Sequence, residues 1–160
     1  EQVSNPSPYA MGALLGDGSF RYSNNQKALC FSSADEEIVA HVANELGYDY
    51  QKNITNNYSW TFKYRKEICC AADRKNVWVE EILKNYPALW QAKSEDKFIP
   101  HDYLIGSVEQ RIELLRGLLD TDGSIARNGY IRFTTISEKL KDNIGAFPAI
   151  LVTGQRQSGK

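Results

Sequence analysis

Residues 10–18 (Ala-Met-Gly-Ala-Leu-Leu-Gly-Asp-Gly) and residues 115–123 (Leu-Arg-Gly-Leu-Leu-Asp-Thr-Asp-Gly) are two versions of one pattern. Each reads as an apolar helix with a glycine inside it, closed by Asp-Gly. A glycine within a helix costs about 1 kcal/mol relative to alanine. Its use at both Gly12 and Gly117 is accounted for if the two helices approach so closely that a Cβ has no room. Helices packed in this way carry Asp17 and Asp122 to one end of their interface. Two adjacent carboxylates with no fixed cation form a candidate site for Mg²⁺, which prefers oxygen ligands and keeps several waters.

The repetition extends beyond the helices. Asp17-Gly18-Ser19-Phe20 is matched by Asp122-Gly123-Ser124-Ile125, Phe31-Ser32-Ser33 by Phe133-Thr134-Thr135, and Asp35-Glu36 by Ser137-Glu138. Both copies read helix, hairpin, helix. Ser7 followed by Pro8 is an N-cap and a first helical residue. Strands are predicted over 19–23 and 28–32, with Asn24, Asn25 and Gln26 as the turn. Asp35 caps a helix with Glu36 and Glu37 in its first turn, an apolar face of Ile38, Val39, Val42 and Leu46, and Gly47 as its stop. A second hairpin is predicted over 48–54 and 58–64 around Asn56-Asn57. A helix over 77–85 follows, with Val77, Trp78, Ile82 and Leu83 on its core side and Pro87 as its breaker. Ser107 and Gln110 form a capping box for the second Asp-Gly helix. Strands at Ile125 and 130–135 flank Asn128-Gly129, a tight-turn signal, and Ser137 caps one more helix.

The paired pattern resembles the LAGLIDADG family of homing endonucleases, found free-standing or inside inteins and introns. The resemblance covers residues 7–144. It implies an α+β fold, a pseudo-twofold αββαββα repeat whose second repeat is incomplete. The first subdomain would span 1–106 and the partial second one 107–146. It implies that the last acid of each motif, Asp17 and Asp122, binds divalent cations, with help from the carbonyls of Gly16 and Thr121. Asp120 falls on an earlier acid position, but the first copy has Leu15 there, so Asp120 reads as dispensable. Lys97-Phe98-Ile99-Pro100 is similar to the Lys-x-Ile-Pro block that precedes the second signature helix in intein-type members, where the lysine positions or polarises the attacking water. His41 and His101 have no partner spacing that points to catalysis. The implied activity is cleavage of both strands of DNA with Mg²⁺. Mn²⁺ would substitute, and Ca²⁺ would support binding without cleavage.

Composition bears on the partner. The 160 residues are 42% hydrophobic and 24% charged, as in ordinary globular proteins. No apolar run approaches the roughly 20 residues of a membrane helix, and residues 1–8 are polar, without a signal peptide. Cys30, Cys69 and Cys70 have neither a disulfide framework's count nor a zinc site's spacing. An intracellular chain is expected, cytoplasmic or nucleoid-associated. The net charge of −1 argues weakly against nucleic acid, but its distribution does not. Windows 18–34, 51–66 and 123–137 together hold eight lysines and arginines and no acid. Local potential governs where a polyanion docks. Candidate DNA contacts are Arg21, Ser23, Asn25, Lys27, Lys52, Asn53, Thr55, Asn56, Lys63, Arg65, Arg127, Asn128 and Arg132. Arginine suits guanine, asparagine suits adenine and lysine meets phosphate. The expected partner is double-stranded DNA with a long asymmetric site, bound by a monomer through its two pseudo-symmetric repeats, with no membrane involved.

Residues 147–160 do not follow the repeat. An apolar run from Pro148 to Thr153 leads into Gly154-Gln155-Arg156-Gln157-Ser158-Gly159-Lys160. This resembles the G-x-x-x-x-G-K loop of P-loop ATPases, where Gly154, Gly159 and Lys160 would bind nucleotide. Such a loop needs a following Ser or Thr and a helix N-terminus for the phosphates, so nucleotide binding is not expected of the segment as written. Three readings stay open: a piece of a longer protein, a fusion of a mobile element with an ATPase gene, or a sequence with residues omitted between its parts. Glu1 is no nucleophile and no terminal His-Asn occurs, so splicing by this chain is not expected. The primary expectation is a site-specific endonuclease. The alternatives are an inactive DNA-binding relic or maturase-like module, and the N-terminal piece of a P-loop ATPase.

Overall fold

Two helices lie against each other backbone to backbone at the centre of the structure. The computed structural model describes residues 6–23, 26–64, 82, 84–90 and 92–147. Helix α1 (Pro8–Asp17) opens on Ser7, whose Oγ accepts from the Ala10 N–H at 3.2 Å, with Pro8 at its first position. Its residues from Tyr9 to Leu15 are all buried, as expected of a helix that is apolar around its whole circumference. It packs along helix α4 (Val108–Asp122), which opens on the Ser107/Gln110 capping box. An ideal Cβ at Gly12 would lie 2.0 Å from the Leu114 carbonyl oxygen. One at Gly117 would lie 2.1 Å from the Tyr9 carbonyl oxygen and 2.7 Å from the Ala13 nitrogen. Each glycine thus faces the backbone of the other helix, and no side chain larger than hydrogen fits in either place.

Each of these helices runs straight into a hairpin. Gly18 and Gly123 cap the two C-termini through N–H bonds to Leu14 and Leu119, in extended conformation. Strands β1 (Gly18–Ser23) and β2 (Gln26–Ser32) pair with Gly18 opposite Phe31 and Phe20 opposite Leu29. Strands β5 (Gly123–Ile125) and β6 (Ile131–Phe133) pair with Gly123 opposite Phe133 and Ile125 opposite Ile131. Helix α2 (Glu36–Leu46) is capped by the Asp35 carboxylate and stopped by Gly47 at φ 72°, a left-handed position suited to glycine. Strands β3 (Tyr48–Lys52) and β4 (Ser59–Tyr64) complete a four-stranded antiparallel sheet in the order β1-β2-β4-β3. Phe20, Leu29, Phe31, Tyr48 and Trp60 join α1 and α2 in the core.

The chain then crosses the molecule through 3₁₀ turns at Pro87–Leu89 and Ser94–Asp96 and a short helix, α3 (His101–Leu104), before α4. After β6, helix α5 (Glu138–Gly145) is capped by Ser137 and buries Leu140 and Ile144. The architecture is α+β, with a small sheet and several helices. No helix among the described residues is long and apolar enough to cross a membrane.

Some boundaries differ from expectation. Gln26 pairs with Ser23 instead of sitting in the turn. Strand β3 stops at Lys52, because Asn53 and Asn56 fold the connection into side-chain-capped turns, their Oδ1 atoms accepting from Thr55 and Tyr58 N–H groups. Strand β6 is only three residues long, and Gly129 turns at φ 80°. Pro87 starts a 3₁₀ turn. Of the helix expected over 77–85, Ile82 is helical and buried, whereas Val77, Trp78 and Leu83 lie outside the described residues.

Overpacking of a core typically costs 1–3 kcal/mol, and here the obstacle is backbone, which cannot rotate away. Gly12→Ala and Gly117→Ala are each expected to destabilise the protein by about 3 kcal/mol. Urea denaturation checks this, and a loss under about 0.5 kcal/mol for both would contradict the close approach.

Candidate active site

Asp17 and Asp122 are the last residues of α1 and α4, so the close packing of those helices brings their carboxylates to one end of the interface. A Cβ built on Gly16 would lie 2.0 Å from the Thr121 Oγ1 and 3.4 Å from an Asp122 carboxylate oxygen. The two chain ends therefore meet across Gly16 and Thr121. The Thr121 hydroxyl is turned back onto its own helix, bonding to the Gly117 and Leu118 carbonyls at 3.1 and 3.0 Å. A cavity of about 270 Å³ opens here, lined by Gly16, Asp17, Lys97 and Asp122, with Ser94, Thr134 and Thr135 at its margin.

Lys97 reaches this cavity from the connection before α3. Its side chain is 6% exposed. Its Nζ donates to the carbonyl oxygens of Gly16 and Gly18, both at 2.8 Å. Those carbonyls belong to the C-terminal end of α1, where the helix dipole is negative. Burial drives the lysine down to about 8, opposed by the charges of Asp122 and Asp17. The Asp17 carboxyl is pushed up to about 6, first by burial and then by the Asp122 charge, with Lys97 pulling the other way. Burial also raises Asp122, again against Lys97.

With all three groups ionised the cluster carries a net negative charge at the negative ends of two helices, so it attracts cations. Among the described residues no three His, Cys, Asp or Glu side chains converge on one point. A closed protein cage is therefore not what this site offers. Two carboxylates beside solvent space fit an ion that takes one or two protein carboxylates and completes its shell with water and phosphate oxygens, as Mg²⁺ does. The Gly16 carbonyl, expected to assist, already accepts from Lys97 and has one lone pair left.

A larger cavity, about 610 Å³, lies elsewhere, between α2 and the β5–β6 hairpin. It is lined by Tyr9, His41 and Asp120 but by none of Asp17, Asp122 or Lys97. Asp120 accepts from the Tyr9 hydroxyl at 2.8 Å, and the Tyr9 ring stacks on His41 with centroids 4.2 Å apart. Asp120 thus fastens α4 to α1 away from the carboxylate pair. This tyrosine contact could not be found from sequence, since nothing there marks Tyr9 as a partner of Asp120.

The proposed DNA contacts are spread over three hairpins, β1–β2, β3–β4 and β5–β6. Arg21 and Ser23 lie on β1, Lys27 on β2 and Lys63 on β4, while Asn25 and Arg65 fall outside the described residues. Lys52 is at the end of β3 on the Tyr50 and Trp60 side, with its Nζ 5.0 Å from the Trp60 ring centroid. Asn53, Thr55 and Asn56 are exposed in the β3–β4 connection, and Arg127, Asn128 and Arg132 are exposed on the second hairpin. Asn128, like Asn53 and Asn56, uses its Oδ1 to cap its own turn, accepting from Tyr130. The opposite side of β3 and β4 holds Gln51 and Thr61, which charge counting passed over. Gly154, Gly159 and Lys160 lie outside the described residues.

The raised Asp17 has a stability consequence. Between about pH 4 and 6 the unfolded chain releases this proton while the folded chain keeps it, so stability falls as pH rises through that window. Lys97 acts the other way: between about 8 and 10.5 the folded chain is the less protonated, and stability rises. The ion-free protein is therefore least favoured in between. In EDTA at pH 7, Asp17→Asn is expected to stabilise the fold by about 1 kcal/mol, a figure discounted for partial solvent screening. Chemical denaturation of both proteins at pH 4 and 7 measures it, and destabilisation at pH 7 would contradict the charge strain.

Residues 109–146, which carry α4, β5, β6 and α5, match the family described as LAGLIDADG-like domain. The chain is also 30% identical over 133 residues to the replicative DNA helicase DnaB of Mycobacterium intracellulare, an alignment covering 83% of this chain and 17% of the helicase. The chain thus spans less than a fifth of the length of this curated relative. The second Asp-Gly helix, with the hairpin and helix that follow it, is similar to a LAGLIDADG-like domain, the same family that the sequence pattern resembles.

Proposed function

We propose that this chain is a metal-dependent, site-specific DNA endonuclease of the LAGLIDADG type. The observation that carries the reading is the meeting of Asp17, Asp122 and Lys97 around one cavity at the ends of two close-packed helices. The matching family supports the nuclease class. A pseudo-twofold axis between α1 and α4 is part of the proposal. Its support is reciprocal: Gly12 meets Leu114 and Gly117 meets Tyr9. The two hairpins also start in the same register. The subdomains would be 1–106 and the partial 107–146. The helicase match covers only a small share of that protein, as expected for an element inserted within a host gene.

Asp17 and Asp122 would hold the divalent ion, Mg²⁺ by preference, with the Gly16 and Thr121 carbonyls beside it. The ion supplies Lewis-acid stabilisation of phosphate charge and acidifies bound water. Both carboxylates must be ionised for this, and cation binding offsets the burial that raises them. Lys97 presents an ammonium held in a fixed place by two carbonyls, able to orient a water or to neutralise charge growing on a phosphate oxygen. The hairpins would lie along the DNA, with exposed Arg127, Asn128 and Arg132 from β5–β6 and Asn53, Thr55 and Asn56 from β3–β4. One monomer would span a long asymmetric site.

A second reading, a DNA-binding relic without cleavage, has an observation of its own. Among the described residues the β5–β6 sheet has two strands where the first sheet has four. Ile125 and Ile131, in the register positions of buried Phe20 and Leu29, are 80% and 61% exposed. Less sheet means fewer contacts to one half of a target.

Selection from a randomised long-duplex library in Ca²⁺, followed by transfer to Mg²⁺, separates the readings. One enriched site cut in both strands is the expected result. Enrichment without cutting would favour the relic. Asp17→Asn and Asp122→Asn should each lower cleavage by about three orders of magnitude or more while leaving binding in Ca²⁺ largely intact. Undiminished cutting by both variants would remove these residues from the site.

A further inference from the structure

Lys97 is held at both ends, and one of the holders has no part in the chemistry described so far. Its ammonium sits on the carbonyls of Gly16, in the last turn of α1, and Gly18, the residue that caps it. Its own carbonyl oxygen accepts from the Ser137 hydroxyl at 2.6 Å, a buried bond. The same Ser137 oxygen accepts from the Leu140 N–H at 3.1 Å, which makes it the N-cap of α5. Ser137 is 1% exposed, one of few polar residues so enclosed. Two residues along from Lys97, the Ile99 N–H donates to the Asn143 Oδ1 at 3.0 Å. Helix α5 thus grips the lysine segment twice, once from its cap and once from its last turn.

From this we infer that Ser137 is a positioning residue for Lys97, with Asn143 as a second clip. The catalytic consequence rests on the nuclease reading above. A capping serine needs only an acceptor lone pair, and its proton is free to go elsewhere. Here the proton is spent on the backbone of Lys97, the cation that lines the cavity. A lysine side chain has four rotatable carbons and places its ammonium poorly unless its backbone is fixed. The two bonds from α5 fix that backbone, and the α1 carbonyls fix the far end. The second copy therefore supplies more than Asp122. It also carries the helix that holds Lys97.

The test uses two disrupting variants, one conservative control and two readouts. Ser137→Ala removes the bond to Lys97 but also the cap. Asn143→Leu removes the Ile99 clip and leaves the cap alone. Ser137→Thr keeps both the donor and the acceptor. A brief pulse of acetic anhydride on the metal-free full chain, read by mass spectrometry, reports how accessible Lys97 is. Lys97 should be acetylated about tenfold faster in Ser137→Ala and in Asn143→Leu than in the parent, with exposed Lys52 unchanged and Ser137→Thr like the parent. Misplacement by about 1 Å can cost up to about a hundredfold in rate. Single-turnover cleavage at saturating DNA should therefore fall at least tenfold in both variants, with DNA affinity in Ca²⁺ within about twofold of the parent. Unchanged acetylation of Lys97 in both variants overturns the inference. Faster acetylation with cleavage unaffected also overturns it, since Lys97 would then need no positioning. A parent protein that never cuts DNA, with Lys97 still released in both variants, would sink the nuclease reading and leave the structural clamp standing.

Discussion

The approach of α1 to α4 at Gly12 and Gly117 is the constraint on which the other features depend. With backbone against backbone, the helix ends are brought near enough for Asp17 and Asp122 to share one cavity, and for Gly16 to sit against Thr121. Any side chain at either glycine would push the helices apart and widen that end. The hairpins follow directly from the helix C-termini, so the same contact also sets where β1 and β5 begin. Burial then does the rest. Tyr9 through Leu15 make α1 the central element against which the sheet, α2 and α4 all pack, and these seven residues are all buried.

The site is held under electrostatic tension in the ion-free protein. Two carboxylates and two helix C-termini confront a single ammonium, and all three side chains are shifted toward their neutral forms. Stability is given up here and recovered in the apolar interface a turn away, a common arrangement at functional sites. Lys97 is buried beside both carboxylates, against the C-terminal end of α1. It relieves part of the tension and ties the connection before α3 to the end of α1.

Much of this could be read from the residues because the signals were local and repeated. Ser7-Pro8, Asp35 with Gly47, the Ser107/Gln110 box and Ser137 mark helix ends by chemistry that operates within four residues, and each is found in that role. The glycine pair and the Asp-Gly ends, seen twice, point to the helix interface and to the carboxylates. What escaped were contacts between residues far apart in the chain. Nothing near Tyr9 announces its bond to Asp120, and nothing near Ser137 announces its bond to the Lys97 carbonyl. Charge alone does not say which face a residue takes: strand alternation puts Lys52 on the Trp60 side of the sheet, and Asn53, Asn56 and Asn128 turn their side-chain oxygens to their own turns.

The sequence repeat makes Asp17 and Asp122 equivalents, but their surroundings are not equivalent. Lys97 donates to the end of α1 and not to the end of α4, and among the described residues no second cation lines their cavity. The two acids therefore ionise in different fields. A pair matched in sequence has acquired a polarity, so a ligand with twofold symmetry laid across it would meet two unlike halves, and on the proposed nuclease reading the two halves would have no reason to react in step.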